Sequence, residues 1–254
     1  MIDPKANMDR ITSHFNEELD KIGYDGVIGV ARFADVYNGL MPQQQNKLKE
    51  LSGSHLPELM KSGSVTCIGI AYPALAIESI NVIVDGVADR KRWNIYAMEY
   101  RKINEHLNTI SKRMADDFGG VHITATTGAH VEKVSEFYPL TISHRVVAEN
   151  AGLGWRGKND LIVSEAYGCA LRFASIISNV PLPYGTKKDN RCGACVACLD
   201  ACAILKNKAK LVDYRANCWQ FIKGLALEED VCGKCIAACH KQSVFRDQFR
   251  LRRS

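Results

Sequence analysis

The sequence of 254 residues has no apolar run long enough to span a bilayer, which excludes a membrane-spanning helix. No apolar leader follows Met1; the chain goes straight into Asp3, Lys5 and an amphipathic pattern. The expectation is therefore a cytoplasmic protein without a membrane partner, its thiols kept reduced. Charge of one sign is not in large excess. The 33 Lys and Arg residues stand against 28 Asp and Glu, a formal +5, too little for a general polyanion binder. No internal repeat shows outside the cysteines, and no residue run marks a nucleotide-binding loop.

What the chain does have is cysteine, placed unevenly. Of ten cysteines, eight fall in the last quarter. Cys192, Cys195, Cys198 and Cys202 form C-x2-C-x2-C-x3-C; Cys218 stands alone; Cys232, Cys235 and Cys239 close the set with C-x2-C-x3-C. Short spacers let neighbouring thiolates wrap one corner of an iron–sulfur cube, and the last cysteine of each run reaches across to the other cube. The expected division gives Cys192, Cys195, Cys198 and Cys239 to one [4Fe–4S] cluster, and Cys202, Cys218, Cys232 and Cys235 to a second. A zinc site would instead show two C-x2-C pairs a dozen or more residues apart, and disulfides suit small secreted domains. Two such clusters would bring the net charge down to about +1 and would pass single electrons. Ala203 and His240 stand where dicluster ferredoxins usually carry Pro, a turn residue and not a ligand.

The remaining pattern mixes helices and strands. Met8, Ile11, Phe15, Leu19 and Ile22 predict an amphipathic helix ending near Gly23. Strands are expected at Gly26–Phe33, Val65–Tyr72, Ile80–Val84 and Val121–Thr127, with Leu161–Val163 and Arg172–Ile177 as a further pair. A helix is expected over Gln44–Met60, a short one at His144–Asn150, and a long one lined by Tyr96, Tyr100, Ile103, Leu107, Ile110 and Met114. Without a regular βαβ beat, the class is α+β rather than a doubly wound sheet. A polar joint at Tyr184–Asn190 divides residues 1–184 from a cysteine-rich domain, 185–254, whose basic end Arg246–Arg253 reads as a solvated tail.

Ala151–Asn159 reads AGLGWRGKN. Its G-x-G-x-x-G spacing follows a helical pattern and precedes a strand, the reverse of a dinucleotide fingerprint, and no Walker spacing is present. Three glycines let backbone approach either a bulky ligand or the chain's own helix and strand.

This string, followed by Pro181–Pro183 and CGACVACLDAC, resembles the epoxyqueuosine reductase family and its relatives, from about Gly26 to Cys239. The resemblance implies a cobalamin-binding α+β domain of the nitroreductase-like type, followed by a small dicluster ferredoxin-like domain that feeds electrons to cobalt. It implies that Gly152, Gly154, Trp155, Gly157, Lys158 and Asn159 lie against the corrin, and that Tyr100 stands at the Tyr of the family's Asp-Tyr-His triplet, flanked here by Glu99 and Arg101. The family's carboxylate proton donor precedes the glycine loop. Ungapped alignment puts Tyr138 at that Asp and His144 at the following Glu, with Arg145 kept, so Tyr138 and His144 become the candidate donors.

Taken together, these features lead to an iron–sulfur oxidoreductase that passes electrons through two [4Fe–4S] clusters to bound cobalamin, for reductive chemistry on an unidentified small substrate. An external donor of ferredoxin or flavodoxin type is implied. Without the carboxylate, tRNA is not expected as a partner. The alternatives are an electron-transfer or corrinoid-activating redox partner without its own cobalamin, and an epoxyqueuosine reductase acting on tRNA. Cys67 and Cys169 read as buried structural thiols. His240 is a candidate for tuning a cluster potential; His122 and His130 carry no pattern.

Overall fold

The computed structural model describes residues 3–125 and 131–252. Helix α1 (Pro4–Ile22) starts where the Asp3 carboxylate accepts from the Lys5 N–H, and it ends where Gly23 takes a left-handed φ of 74°. Strands β1 (Gly26–Arg32) and β2 (Ser64–Ala71) follow. The long helix α2 (Arg90–Phe118) is capped by Asp89 and leads into β3 (Gly120–Ile123). Helix α3 (His144–Asn150) precedes the glycine loop, and β4 (Leu171–Ser178) completes the sheet. The four strands lie in the order β1-β2-β4-β3, every neighbouring pair antiparallel.

Both faces of this sheet are covered. On one side α1 and α2 pack Phe15, Leu19, Ile103, Leu107 and Ile110 against Ile68 and Ile70. On the other, α3 and three short helices (Phe33–Gly39, Pro42–Ser52, Leu56–Ser62) bury Phe33, Leu48 and Val147 against Val65 and Cys67. That is why every residue of β2 is buried, and why it reads as an apolar run rather than an alternation. The architecture is mixed helix and sheet, as the class predicted from sequence requires. Among the described residues, no helix is long and apolar enough to cross a membrane.

Several sequence-based expectations differ from the structure. The helix expected over Gln44–Met60 is two helices, broken at Gly53 by a positive φ of 52°. Ile80–Val84 is not a buried strand: Ile83–Val84 is one exposed arm of a two-residue hairpin with Val87–Ala88. Leu161–Val163 and Arg172–Ile177 do not pair; Ile162–Val163 pairs with Trp155–Arg156, and β4 sits between β2 and β3. The strand expected to reach Thr127 ends at Ile123, and its last two positions lie, like His130, outside the described residues. The basic tail is docked over its described part. Arg250 N–H donates to Ala166 O, Ala74 N–H to Arg252 O, and the Arg252 guanidinium lies 3.0 Å from the Asp25 carboxylate. Two apolar residues, Phe249 and Leu251, alternate with the arginines and pack on the core, so the segment has a reason to lie down.

Candidate metal centre

The eight clustered cysteines are presented by short elements that lean on α2. Cys192 and Cys195 lie in an irregular stretch closed by a 2.8 Å bond from Cys195 N–H to Cys192 O, Cys198 on the helix Ala197–Asp200, and Cys202 at the start of Ala203–Lys206. Cys218 rides on α4 (Tyr214–Leu225), whose first amides are held by the Asp213 carboxylate. Cys235 and Cys239 are one turn apart on α5 (Lys234–Gln242). Gly233, just before that helix, takes a φ of 72° with the Tyr96 ring so close that a Cβ would stand 2.7 Å from it. Three side chains of α2 fix this region. Trp93 Nε1 donates to Cys232 O at 2.9 Å, Asn94 Oδ1 accepts from Glu228 N–H at 2.9 Å, and Arg101 Nε reaches Glu229 at 2.6 Å.

The thiols fall into two neighbourhoods. Burial pushes Cys198 up to about 11, and the nearby thiols that add to it are Cys239, then Cys192 and Cys195. Burial likewise raises Cys232 to about 12, with Cys218 and Cys202 adding to it. The half-buried Cys235 is raised by desolvation and then by Cys232, Cys218, Cys198 and Cys202. Among the described residues, no three His, Cys, Asp or Glu side chains converge tightly enough for a single metal ion. The donor set, eight thiols, has the chemistry that iron–sulfur clusters take. Beside Cys239, His240 also leaves a buried Nδ1 with no partner in the protein, a polar atom left over for a group that the chain does not itself supply.

The glycine loop lies beside this centre. A Cβ on Gly152 would stand 2.5 Å from Thr186 O, one on Gly154 2.3 Å from Val163 O, and one on Gly157 2.8 Å from Val163 Cγ2, so each glycine lets the chain's own backbone or hairpin come close on that side. Trp155 is 1 % exposed, and its Nε1 donates to Cys192 Sγ at 3.3 Å. Lys158 Nζ reaches Gly193 O at 2.7 Å, tying the loop to the first C-x2-C turn. Asn159 is buried, with its Nδ2 on Cys169 Sγ at 3.4 Å. Cys169, read from sequence as a buried structural thiol, is buried here too, with its Sγ 4.0 Å from Cys235 O.

Two other candidates lie in the core. Tyr100 is buried on the sheet side of α2, with the Arg172 guanidinium 4.3 Å from its ring centroid. His144 is 5 % exposed, and both its ring nitrogens are taken: Nε2 lies 2.7 Å from Thr124 O and Nδ1 2.8 Å from Ser175 Oγ. Burial holds it near 4, neutral at ordinary pH, and the carbonyl fixes the proton on Nε2. It is a cross-link between α3 and the sheet, without access for proton delivery.

Tyr138 stands apart from these, half-buried beside Arg215 of α4. A polar group that sequence reading missed lies near it. The Tyr214 hydroxyl donates to the Asp160 carboxylate, the Asp160 backbone O accepts from half-buried Arg145 at 2.9 Å, and Lys208 lies 3.6 Å from Asp160. Burial alone would raise the Asp160 carboxyl, but Tyr214, Lys208 and Arg145 outweigh it and hold it below its usual value. Asp160 is thus a fixed anion, and the Tyr214 phenol is pushed up to about 12 by burial and then by that anion. A cavity of about 530 Å³ lies elsewhere, between α1 and the first turns of α2, lined by Tyr24, Tyr72, Pro73, Glu99 and Lys102 and by no residue of the glycine loop.

Fold and site define an α+β protein with eight thiols gathered beside the glycine loop, which touches them through Trp155 on Cys192. No protein-family model matches the chain. By sequence it is 28% identical over 200 residues to the epoxyqueuosine reductase of Bacillus subtilis, covering 72% of this chain and 47% of that protein. It is 41% identical over 152 residues to that of Listeria monocytogenes, covering 58% and 37%. A selenomethionine-labelled epoxyqueuosine reductase superposes with a TM-score of 0.51 at 20% identity, over 95% of this chain and 68% of the other. The Streptococcus thermophilus enzyme gives 0.50 at 18%, over 90% and 65%. The chain is epoxyqueuosine reductase-like in sequence and in fold. It spans about half the length of the curated relatives it matches.

Two expectations change with these findings. Every relative named above is an epoxyqueuosine reductase. The expectation against a tRNA partner is overturned, and the unidentified small substrate has no support.

Proposed function

We propose that this chain is the reductive portion of an epoxyqueuosine reductase, acting on epoxyqueuosine carried in tRNA. The observation that supports this most is the pairing of a two-group, all-thiol donor set with sequence relatives of that name. Cys192, Cys195, Cys198 and Cys239 hold one [4Fe–4S] cluster, and Cys202, Cys218, Cys232 and Cys235 the other. The arrangement is that of a dicluster ferredoxin-like unit, residues 185–254, on a nitroreductase-like body, residues 1–184. When bound, the clusters supply electrons one at a time from an external ferredoxin or flavodoxin.

Reducing an epoxide to an alkene takes two electrons and two protons and releases water. This chain's own part is to hold the thiols, exclude water around them with Trp155 and Cys169, and deliver a proton. Tyr138 is the proposed donor, being partly accessible beside the Arg215 guanidinium, where His144 is sealed off. Cobalamin is proposed as a further cofactor on the resemblance, with Tyr100, Gly152, Gly154, Trp155, Gly157, Lys158 and Asn159 as the residues that would lie against it.

The test is an anaerobic incubation of the reconstituted chain with a low-potential reductant, cobalamin and tRNA containing epoxyqueuosine, followed by nucleoside mass analysis. Conversion to queuosine in wild type, strongly slowed in Tyr138→Phe with cluster content intact, is the expected result. No conversion by a chain that carries both clusters and cobalamin would refute the reading. Cobalamin that never binds, shown by an unchanged visible spectrum, would leave a redox partner without its own corrinoid.

A further inference from the structure

We propose that the turn Lys208–Lys210 and the first residues of α4 form the surface on which the RNA lies. Tyr214 and Arg215 together make a platform for an unpaired base, and Lys210 and Arg215 contact the phosphates beside it. The inference rests on the tRNA reading above and adds to it the place of contact. Charge is near balance over the whole chain, yet Lys206, Lys208, Lys210 and Arg215 fall within ten residues that hold one acid, Asp213. That carboxylate is taken up by the Arg215 and Ala216 amides at the start of α4. Lys206 is paired with Asp200 and Lys208 with Asp160, whereas Lys210 and Arg215 have no ion-pair partner among the described residues. Two cations are thus left for an anion that the chain does not itself supply.

The half-buried Tyr214 ring lies between cations. Lys208 Nζ is 5.9 Å from its centroid and the Arg215 guanidinium 5.3 Å. The Tyr214 hydroxyl is tied to the Asp160 carboxylate, and Lys208 Nζ also reaches Lys158 O at 2.9 Å, so the ring is held before any ligand arrives. Val212, two residues before it, is fully exposed. Unpaired bases stack on aromatic and guanidinium planes, whatever their identity, while lysines follow the backbone. The same helix borders the proposed proton donor. Trp219 Nε1 donates to Glu132 O at 3.0 Å and its ring meets Phe137 at 5.6 Å, which sets Tyr138, the next residue, against α4. An acidic protein would answer the charge alone; cations interleaved with a ring beside the reaction site fit a single-stranded loop.

The experiment uses the full chain, reconstituted without oxygen, and measures by fluorescence anisotropy its binding to a labelled RNA hairpin with an unpaired loop and to a paired RNA duplex of equal charge, over a range of salt. The variants are Lys210→Gln, Arg215→Gln, Tyr214→Leu and Tyr214→Phe, each checked for iron content and melting temperature. Lys210→Gln and Arg215→Gln should each weaken the hairpin and lower the slope of log K against log salt by about 1. Tyr214→Leu should weaken the hairpin about fivefold or more and the duplex hardly at all. Tyr214→Phe, which keeps the ring and loses the bond to Asp160, should bind as wild type does. Hairpin binding unchanged in Lys210→Gln and Arg215→Gln would overturn the inference and leave the tRNA reading standing. Equal losses in Tyr214→Leu and Tyr214→Phe would make Tyr214 a structural prop and overturn the platform. Slower cluster reduction by a ferredoxin in the two charge variants, with hairpin binding kept, would assign the surface to an acidic protein and overturn the inference too. A wild-type chain that carries its iron and binds neither RNA would overturn the inference and the tRNA reading together.

Discussion

His144 gives the fold a pH dependence that can be worked out from its contacts. It is fully buried, neutral, and bonded through both nitrogens to Thr124 O and Ser175 Oγ. Burial lowers its folded-state value from 6.5 to about 4. A histidine depressed in this way costs nothing above its unfolded value. As pH falls below about 6.5 the unfolded chain takes up a proton that the folded chain refuses, and stability is lost until the folded site also titrates, near 4. Between pH 7.5 and 5.5 the unfolded site gains most of a proton and the folded site almost none, a loss of about 1.3 kcal/mol. Chemical unfolding of wild type and His144→Gln at several pH values across this window isolates the contribution, since the other titrating groups are shared. Wild type should lose about 1.3 kcal/mol more than the variant over the window. At pH 7.5 the variant should already be less stable by roughly 1–3 kcal/mol, from the buried partners left unpaired. Parallel pH profiles would refute the reasoning, because they would mean that His144 titrates normally in the folded state.

Other expectations follow from single contacts. Cys239→Ala should cost the cluster built on Cys192, Cys195 and Cys198, cutting iron by about half; loss of the Cys232 and Cys235 cluster instead would show that the ligands do not cross. Gly154→Ala should lower thermal stability through the Cβ forced to 2.3 Å from Val163 O, by roughly 1–3 kcal/mol, whether or not cobalamin is present. An effect confined to cobalamin binding would mean that the close approach at Gly154 serves the cofactor and not the fold. Phe249→Ala should destabilise the fold even though it lies near the end of the chain, because its ring packs on Gly168 and against His240; an unchanged melting temperature would mean that the tail is loose.

The sequence carried the mixed class and most of the sheet because those signals are local. The 3.6-residue rhythm of Ile103, Leu107, Ile110 and Met114 and the apolar run at β2 each report one element's own burial. Cysteine spacing carried the candidate ligands for the same reason, since it reports how few residues bridge two thiols. What stayed hidden depends on distant partners. The glycines of AGLGWRGKN look alike whether a ligand or Val163 and Thr186 fill the space beside them. His144 and Tyr100 carry the same side chains whether exposed to substrate or sealed by Ser175 and Arg172. Ile80–Val84 has the composition of a buried strand, yet Asn81 and Asp85 adopt positive φ and turn it into an exposed hairpin. Trp155 becomes informative only once the fold brings it to Cys192, thirty-seven positions on.

The claim on which the rest depends is that the eight clustered cysteines hold two [4Fe–4S] clusters. The most direct measurement is the metal content of anaerobically reconstituted chain, read with its electron paramagnetic resonance spectrum after reduction. The account predicts about eight irons and equal acid-labile sulfide per chain, with two interacting reduced centres. About four irons after full reconstitution, or zinc in place of iron, would contradict it.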